Sequence, residues 1–290
     1  MYYREENGGI RVSGTGPVDL CSIFENGQCF RFEKEPDGSY SGVAVRRFLR
    51  VSAGSDSLFL YPCSKEDFEK VWRSYFDFDT DYAHLFESPD NLLTEGMRRA
   101  PGLRVLRQEP FETLISFIIS ANNNIGRIRG IIRRLCDRYG DAIEGPCGIC
   151  RCFPEPEVLA DASVEDLTSV GTGYRAPYIK ETAEAVRSGF PLESLKTMDY
   201  REAKETLLRL KGVGPKVADC ILLFSLGHRR AFPADVWIKR VLKEHYGFTG
   251  SDRATEDFAY SLFGDAAGIA QQYIFYAARG GENTGDKNGA

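Results

Sequence analysis

Leu210-Lys211-Gly212-Val213-Gly214-Pro215-Lys216-Val217-Ala218-Asp219-Cys220 is the stretch on which the fold turns. Two glycines flank one apolar residue, and Pro215 fits the first position of a helix continuing to Phe224. Upstream, Asp199 followed three residues later by Glu202 is a capping-box pattern that opens a helix to Leu210. The unit predicted over 199–226 is therefore helix, short Gly-x-Gly hairpin, helix. Glycines let the backbone approach closely, and the free N–H groups at a helix start face an anion. A nucleic-acid phosphate suits such a unit; a connector that binds nothing is the alternative. Nine Lys and Arg oppose three Asp and Glu between Lys204 and Lys243, and six Arg oppose three acids between Asn122 and Arg151. A chain of net charge −5 thus carries basic segments, as a footprint on phosphate would, although basic helix faces also serve solubility.

Lys216 sits in the first turn of the second helix, where the helix dipole disfavours its charged form. A neutral amine attacks electrophilic carbon and can form a Schiff base; a plain phosphate contact is the alternative. Cys220 follows one turn later on the same face. Downstream, Phe232-Pro233-Ala234-Asp235-Val236-Trp237, with Asp235 nineteen residues after Lys216, stops one segment and starts another. Asp235 is placed to cap the helix from Val236 to His245, and on this reading alone it is only a cap.

Working outward, residues 1 to about 75 read as an antiparallel sheet. Ser22–Phe32, Tyr40–Val45 and Ser57–Tyr61 collect β-formers, with a Pro36-Asp37-Gly38 turn. Helical periodicity begins near Lys65. Pro110–Ser120 reads as an almost wholly apolar, buried helix. Asn122-Asn123-Asn124 interrupts it with turn and cap propensity, and an Arg-rich helix runs from Ile125 to Tyr139. Gly140–Pro156 reads as loop, and helices are expected near 156–170, 176–189 and 199–210. The fold class is α+β: a sheet lobe over 1–105, helical from about 65, then two mainly helical lobes over 106–279. Residues 280–290 lack apolar side chains and are expected to be a disordered tail.

The composition, 42% hydrophobic and 27% charged, excludes disordered, collagen-like and disulfide-miniprotein classes. No apolar run reaches the roughly 18 residues a membrane span requires, and the first residues do not resemble a secretory signal. An intracellular protein with no membrane association is expected. Its eight cysteines should then be reduced thiols. Cys147, Cys150 and Cys152 could begin a metal site, but no second Cys or His pair follows at zinc spacing. A Cys-rich surface loop is the alternative.

The Leu210–Cys220 stretch, followed by Pro233-Ala234-Asp235, resembles the helix–hairpin–helix DNA glycosylases, and most nearly their eukaryotic-type 8-oxoguanine DNA glycosylase/AP lyase branch. Asn26-Gly27-Gln28-Cys29-Phe30-Arg31, Ser120–Arg127, Gly173-Tyr174-Arg175-Ala176 and Ala270-Gln271-Gln272-Tyr273-Ile274-Phe275 match in the family order. The resemblance spans residues 26–275. It implies a bifunctional repair enzyme acting on double-stranded DNA that contains 8-oxoguanine. Lys216 would attack the sugar and Asp235 would stay ionised beside it. The Gly27 carbonyl would meet the lesion's N7–H, Phe275 and Cys220 would sandwich the flipped base, and Gln271 would read its Watson–Crick edge. Asn122, Arg127, Tyr174 and Arg175 would fill the vacated stack and hold the orphaned cytosine. Backbone groups of Gly212, Gly214 and Val217 would hold phosphate, and carbonyls of Leu208, Leu210 and Val213 a monovalent K+ or Na+ ion. Read without the resemblance, Phe275 is equally a core residue, Gln271 a solvated helix residue, and each Arg a surface charge.

Trp237 departs from the family, standing where members carry a histidine near phosphate. Relatives of the endonuclease III and adenine glycosylase type carry an iron–sulfur cluster after the aspartate, and no cysteine follows Cys220 here. Alkylation-repair glycosylases normally lack the lysine. A silent hairpin module that only binds DNA is the reading from another class, opposed by the presence of both Lys216 and Asp235. No required cofactor is expected. The tail ends soon after Phe275, without eukaryotic targeting extensions, which fits a bacterial or archaeal source; if the source is prokaryotic the enzyme is expected to be cytoplasmic and nucleoid-associated, and a monomer is expected.

Overall fold

The computed structural model describes residues 1–86, 90–146 and 148–282, without the side chains of 83 and 279–282. Six strands, β1 (Tyr2–Glu6), β2 (Gly9–Ser13), β3 (Phe32–Lys34), β4 (Tyr40–Ala44), β5 (Arg47–Ala53) and β6 (Ser57–Tyr61), form one sheet in the order β1-β2-β6-β5-β4-β3. Every neighbouring pair is antiparallel. Alternation sends Ile10, Val12, Leu49, Val51, Leu58 and Leu60 to one fully buried face, with Leu60 opposite both Ile10 and Val51. That face packs on Phe24, Phe68, Trp72 and Phe76.

The strand expected over Ser22–Phe32 is not formed until Phe32. Leu20–Phe24 is a short helix whose cap, Asp19, accepts from the Cys21 N–H at 3.0 Å. Gly27 then turns the chain at φ +79°. The fully buried Gln28 amide replaces a strand ladder: it donates to the Ile23 and Arg104 carbonyls and accepts from Leu106 N, each at 2.9 Å. β-Propensity was overridden because this segment is wedged between lobes rather than laid on a sheet.

The Pro110–Ser120 helix buries nine of its eleven residues, from Pro110 to Ile119. It packs on the Pro215–Phe224 helix, where the rings of Phe117 and Phe224 stack at 5.6 Å. A separate smaller core around Phe232, Ile238, Leu242 and Ile274 joins the Val236–Tyr246, Asp252–Phe263 and Ala267–Glu282 helices. The architecture is thus a sheet lobe beside two helical lobes. Asp77 clasps them, bonding Arg107 at 2.7 Å and Arg229 at 3.1 Å.

Other expectations need correction. Within Gly140–Pro156 lies a hairpin, β7 (Ala142–Gly145) against β8 (Gly148–Arg151). Cys152, just beyond it, is fully buried, which is not the surface loop expected; Cys147 lies outside the described residues. The 156–170 helix is broken at Ser163, whose hydroxyl caps a new start. The last helix runs to Glu282, past the expected tail boundary at 280; residues 283–290 lie outside the described residues. No helix of the described residues is long and apolar enough to cross a membrane.

Candidate active site

Gly27, Lys216, Cys220, Asp235, Gln271 and Phe275, drawn from distant parts of the sequence, line a single cleft of about 200 Å³. That is smaller than the ~300–1,000 Å³ of a drug-sized ligand site and suits one planar ring system. Six segments converge there: the turn at Gly27, the end of the Pro110–Ser120 helix, the start of the Ile125–Tyr139 helix, one face of the Pro215–Phe224 helix, the Pro233–Asp235 turn, and the last helix. A larger hollow of about 670 Å³ lies between the β1–β2 turn, the β4–β5 turn and β7, and contains none of these residues.

Lys216 is half-buried, and its Nζ lies 5.2 Å from the centroid of the Phe117 ring. The ring face attracts a cation and shields one side of it from water. Burial pushes the neighbouring Cys220 thiol up to about 11 against the opposing effect of Lys216, so it is protonated at neutral pH. Asp235 does cap the Val236–Tyr246 helix, accepting from Ile238 N at 2.8 Å. It also lines the cleft with Lys216, so capping holds the carboxylate at the site. Trp237 packs edge-on against Phe275, ring centroids 5.2 Å apart at 74°, and so supports the aromatic wall.

At the hairpin the first helix ends at Leu207, not Leu210, because 208–210 tighten into turns bonded to Lys204, Thr206 and Leu207. Gly212 sits at φ +84°, and a Cβ there would come within 2.9 Å of the Tyr178 ring. Gly214 is the N-cap of the next helix with ordinary φ −92°. It has no side chain to cap the first turn, so the Val217 N–H has no intrahelical partner. Among the described residues no N–H reaches the Leu208 or Val213 carbonyl, while the Leu210 carbonyl accepts from Val213 N at 3.2 Å.

The remaining predicted contacts form a cluster joined to the cleft through Asn123. Asn122 is exposed and left-handed, φ +50°, a conformation Asn tolerates. Asn124 caps the Ile125–Tyr139 helix through the Arg127 N–H at 2.9 Å, leaving the Arg127 side chain exposed. Arg175 is not a surface charge. It is 4% exposed; Nε donates to the Ala121 carbonyl at 3.1 Å and Nη2 to that of Asn122 at 3.3 Å. Tyr174 is 58% exposed and lies over the Arg175 guanidinium at 4.3 Å.

The model of the 8-oxoguanine DNA glycosylase N-terminal domain matches residues 11–114, and that of the HhH-GPD superfamily base excision DNA repair protein matches residues 115–262. The chain belongs to the HhH-GPD superfamily. Within it, the chain is a DNA N-glycosylase with lyase activity. It is 36% identical to a "Probable N-glycosylase/DNA lyase" of Methanothermobacter thermautotrophicus, over 74% of this chain and 75% of that one. Identity to the N-glycosylase/DNA lyase of Arabidopsis thaliana is 33%, over 90% of this chain and 77% of that one. The 8-oxoguanine glycosylase/lyase of Clostridium acetobutylicum, solved with double-stranded DNA containing cytosine opposite 8-oxoguanine, superposes with TM-score 0.91 at 35% identity, covering 97% and 99% of the two chains.

In this HhH-GPD protein the sequence did not single out Phe117, Phe30 or Gln272, which share the cleft. Phe117 was legible only as one apolar residue of a buried helix. Gln272 stood inside a matched motif without a role. Among the described residues no group of three or more His, Cys, Asp or Glu could hold a metal ion.

Proposed function

We propose that this enzyme excises 8-oxoguanine from duplex DNA, preferentially opposite cytosine, through a Lys216 Schiff base, and then nicks the strand. The observation that carries the reading is Lys216 and Asp235 on one base-sized cleft. The base leaves the stack to enter the cleft. The neutral Lys216 amine attacks sugar C1′, and the C1′–N9 bond breaks with its electron pair going to the base. Asp235 takes up the amine proton and stabilises positive charge developing on the sugar. As the sugar ring opens to the protonated imine Asp235 gives that proton to O4′, and loss of a C2′ proton to water then expels the 3′ phosphate by β-elimination.

The Gly27 carbonyl accepts from the lesion's N7–H, where guanine offers only a repelling lone pair. Phe275 and Cys220 flank the base, and Gln271 meets its Watson–Crick edge. Asn122 and Tyr174 fill the vacated stack; Arg127 and Arg175 read the orphaned cytosine through forked donors. Arg175 must exchange a backbone carbonyl for the base to do so. Backbone N–H groups of Gly212, Gly214 and Val217 hold a phosphate. The unpartnered Leu208 and Val213 carbonyls, with that of Leu210, suit a monovalent cation. The enzyme acts as an intracellular monomer without a required cofactor.

The test is a labelled duplex carrying one 8-oxoguanine. Wild type excises and nicks, and borohydride traps a covalent adduct. Lys216→Gln loses excision and adduct while retaining lesion binding. Full activity in that variant removes the nucleophile assignment.

A further inference from the structure

Asn26, Gln272 and Gln271 are 7%, 3% and 4% exposed and are bonded head to tail. Asn26 Nδ2 donates to Gln272 Oε1 at 3.2 Å, and Gln272 Nε2 donates to Gln271 Oε1 at 2.5 Å. All three line the Lys216 cleft. A primary amide is nearly symmetric in shape but not in chemistry, with an acceptor at one corner and two donors at the other. If Gln271 turned over, its NH2 would face the NH2 of Gln272. If Gln272 turned to accommodate it, its NH2 would face that of Asn26. Turning any one or two of the three amides brings like groups face to face, so the Gln271 amide turns only if both buried neighbours turn with it. Among the described residues nothing accepts from Gln271 Nε2.

We infer that Asn26 and Gln272 are positioning residues that hold the Gln271 amide in one orientation and thereby select the edge of the base. The inference rests on the proposed reading that Gln271 meets the Watson–Crick edge. In this orientation Gln271 retains one carbonyl lone pair and both amide hydrogens. An acceptor beside a donor complements an edge with N1–H beside a C6 carbonyl, as in 8-oxoguanine. The edge of 8-oxoadenine has the reverse order, an N1 acceptor beside an amino group. A free amide could rotate alone to serve either base; one bonded to two buried neighbours resists that turn and favours the lactam. The lesion's N7–H does not separate these two bases, since both carry it. The cleft therefore holds a second, independent selection for the ring at position 6.

Single-turnover excision of 8-oxoguanine and of 8-oxoadenine, each opposite cytosine, tests this alongside nicking of an abasic duplex. Abasic DNA presents no base and does not use the amide. Gln272→Glu removes the donor and draws the Gln271 NH2 toward the new carboxylate. Gln272→Met removes the bond while keeping the volume. The 8-oxoguanine-to-8-oxoadenine rate ratio is expected to fall about tenfold or more with Glu and by less with Met. Abasic nicking is expected to stay within about twofold in both. An unchanged ratio in both variants overturns the inference, as does a parallel fall in abasic nicking, which marks a merely structural role. Wild type that nicks abasic DNA but leaves 8-oxoguanine in place overturns the reading of the pocket itself.

Discussion

Removing the Lys204 ammonium tests what holds the Lys216 helix in place. Lys204 Nζ lies 2.6 Å from Asp219 Oδ2 and also pairs with Glu256, while Tyr200 donates to Asp219 Oδ1 at 2.9 Å. The side chains of Lys204 and Asp219 are 8% and 4% exposed, and that of Glu256 17%. This cluster ties the two hairpin helices to each other and to the Asp252–Phe263 helix. Lys204→Met keeps the apolar stem and deletes the charge. Breaking a buried pair from one side costs about 3–5 kcal/mol, because the surviving charge is left without a partner. Here two carboxylates are left, but Glu256 is partly able to rehydrate, so Asp219 carries most of the penalty.

Burial already lifts the Asp219 carboxyl to about 7 against the opposing effect of Lys204. Without the ammonium it rises further. The variant can then relieve itself by protonating Asp219, which the folded state does more readily than the unfolded one. Its deficit is therefore largest in alkali and shrinks as pH falls toward about 7, below which Asp219 is protonated with or without the ammonium. Urea titrations of wild type and Lys204→Met at about pH 8 and about pH 5 read this directly. The midpoint is expected to fall by on the order of 0.5–1 M at the higher pH and by clearly less at the lower. Adding Asp219→Asn to Lys204→Met should recover part of the loss, a coupling the double-mutant cycle measures. A loss under about 1 kcal/mol at the higher pH, or the same loss at both, would refute the argument.

Asp235→Asn keeps a competent N-cap and deletes the charge, so folding and DNA binding should persist while single-turnover excision falls about 10²–10³-fold; equal rates would reduce Asp235 to its cap. Gly212→Ala meets both left-handed backbone and the Tyr178 ring and should cost about 1–3 kcal/mol in denaturant titration with weaker DNA binding. Gly214→Ala, with nothing within 4 Å of the added Cβ, should cost much less, and similar losses at both sites would contradict the hairpin geometry. For opposite-base preference, wild type should excise 8-oxoguanine much faster opposite cytosine than adenine, and replacing Arg127 and Arg175 with Ala should flatten that ratio. The ratio is the measure because Arg175 also braces the Ala121 and Asn122 carbonyls, and its loss would lower all rates together. A steep ratio in the double variant would remove the cytosine-reading role from both.

Local chemistry was legible in the sequence wherever one residue's backbone demand is met by its neighbours. Pro215 at a helix start, Asp235 and Asn124 as caps, and the Pro36-Asp37-Gly38 turn depend on interactions only a few residues long. The same holds for the buried Pro110–Ser120 helix, whose apolar residues leave no polar face to expose. Where the reading failed, a distant partner outbid local propensity. Ser22–Phe32 has strand composition, but Gln28 finds its acceptors and donor at residues 23, 104 and 106. The first hairpin helix is the exception, stopping at Leu207 for a local reason, the turns at 208–210. Arg175 has the look of a surface charge, yet the carbonyls that bury it lie more than fifty positions earlier, at 121 and 122.

The cleft itself belongs to the tertiary structure. Composition and spacing could nominate Lys216 and Asp235 one at a time, each with a bland reading beside it. That a capping aspartate also lines the lysine's cleft, that Phe117 lies under the amine, and that three amides at 26, 271 and 272 form one chain all depend on segments packed from distant parts of the sequence. Hydrogen-bond direction and burial are properties of pairs in space. A linear sequence carries the donors and acceptors, but only the packed lobes decide which of them meet.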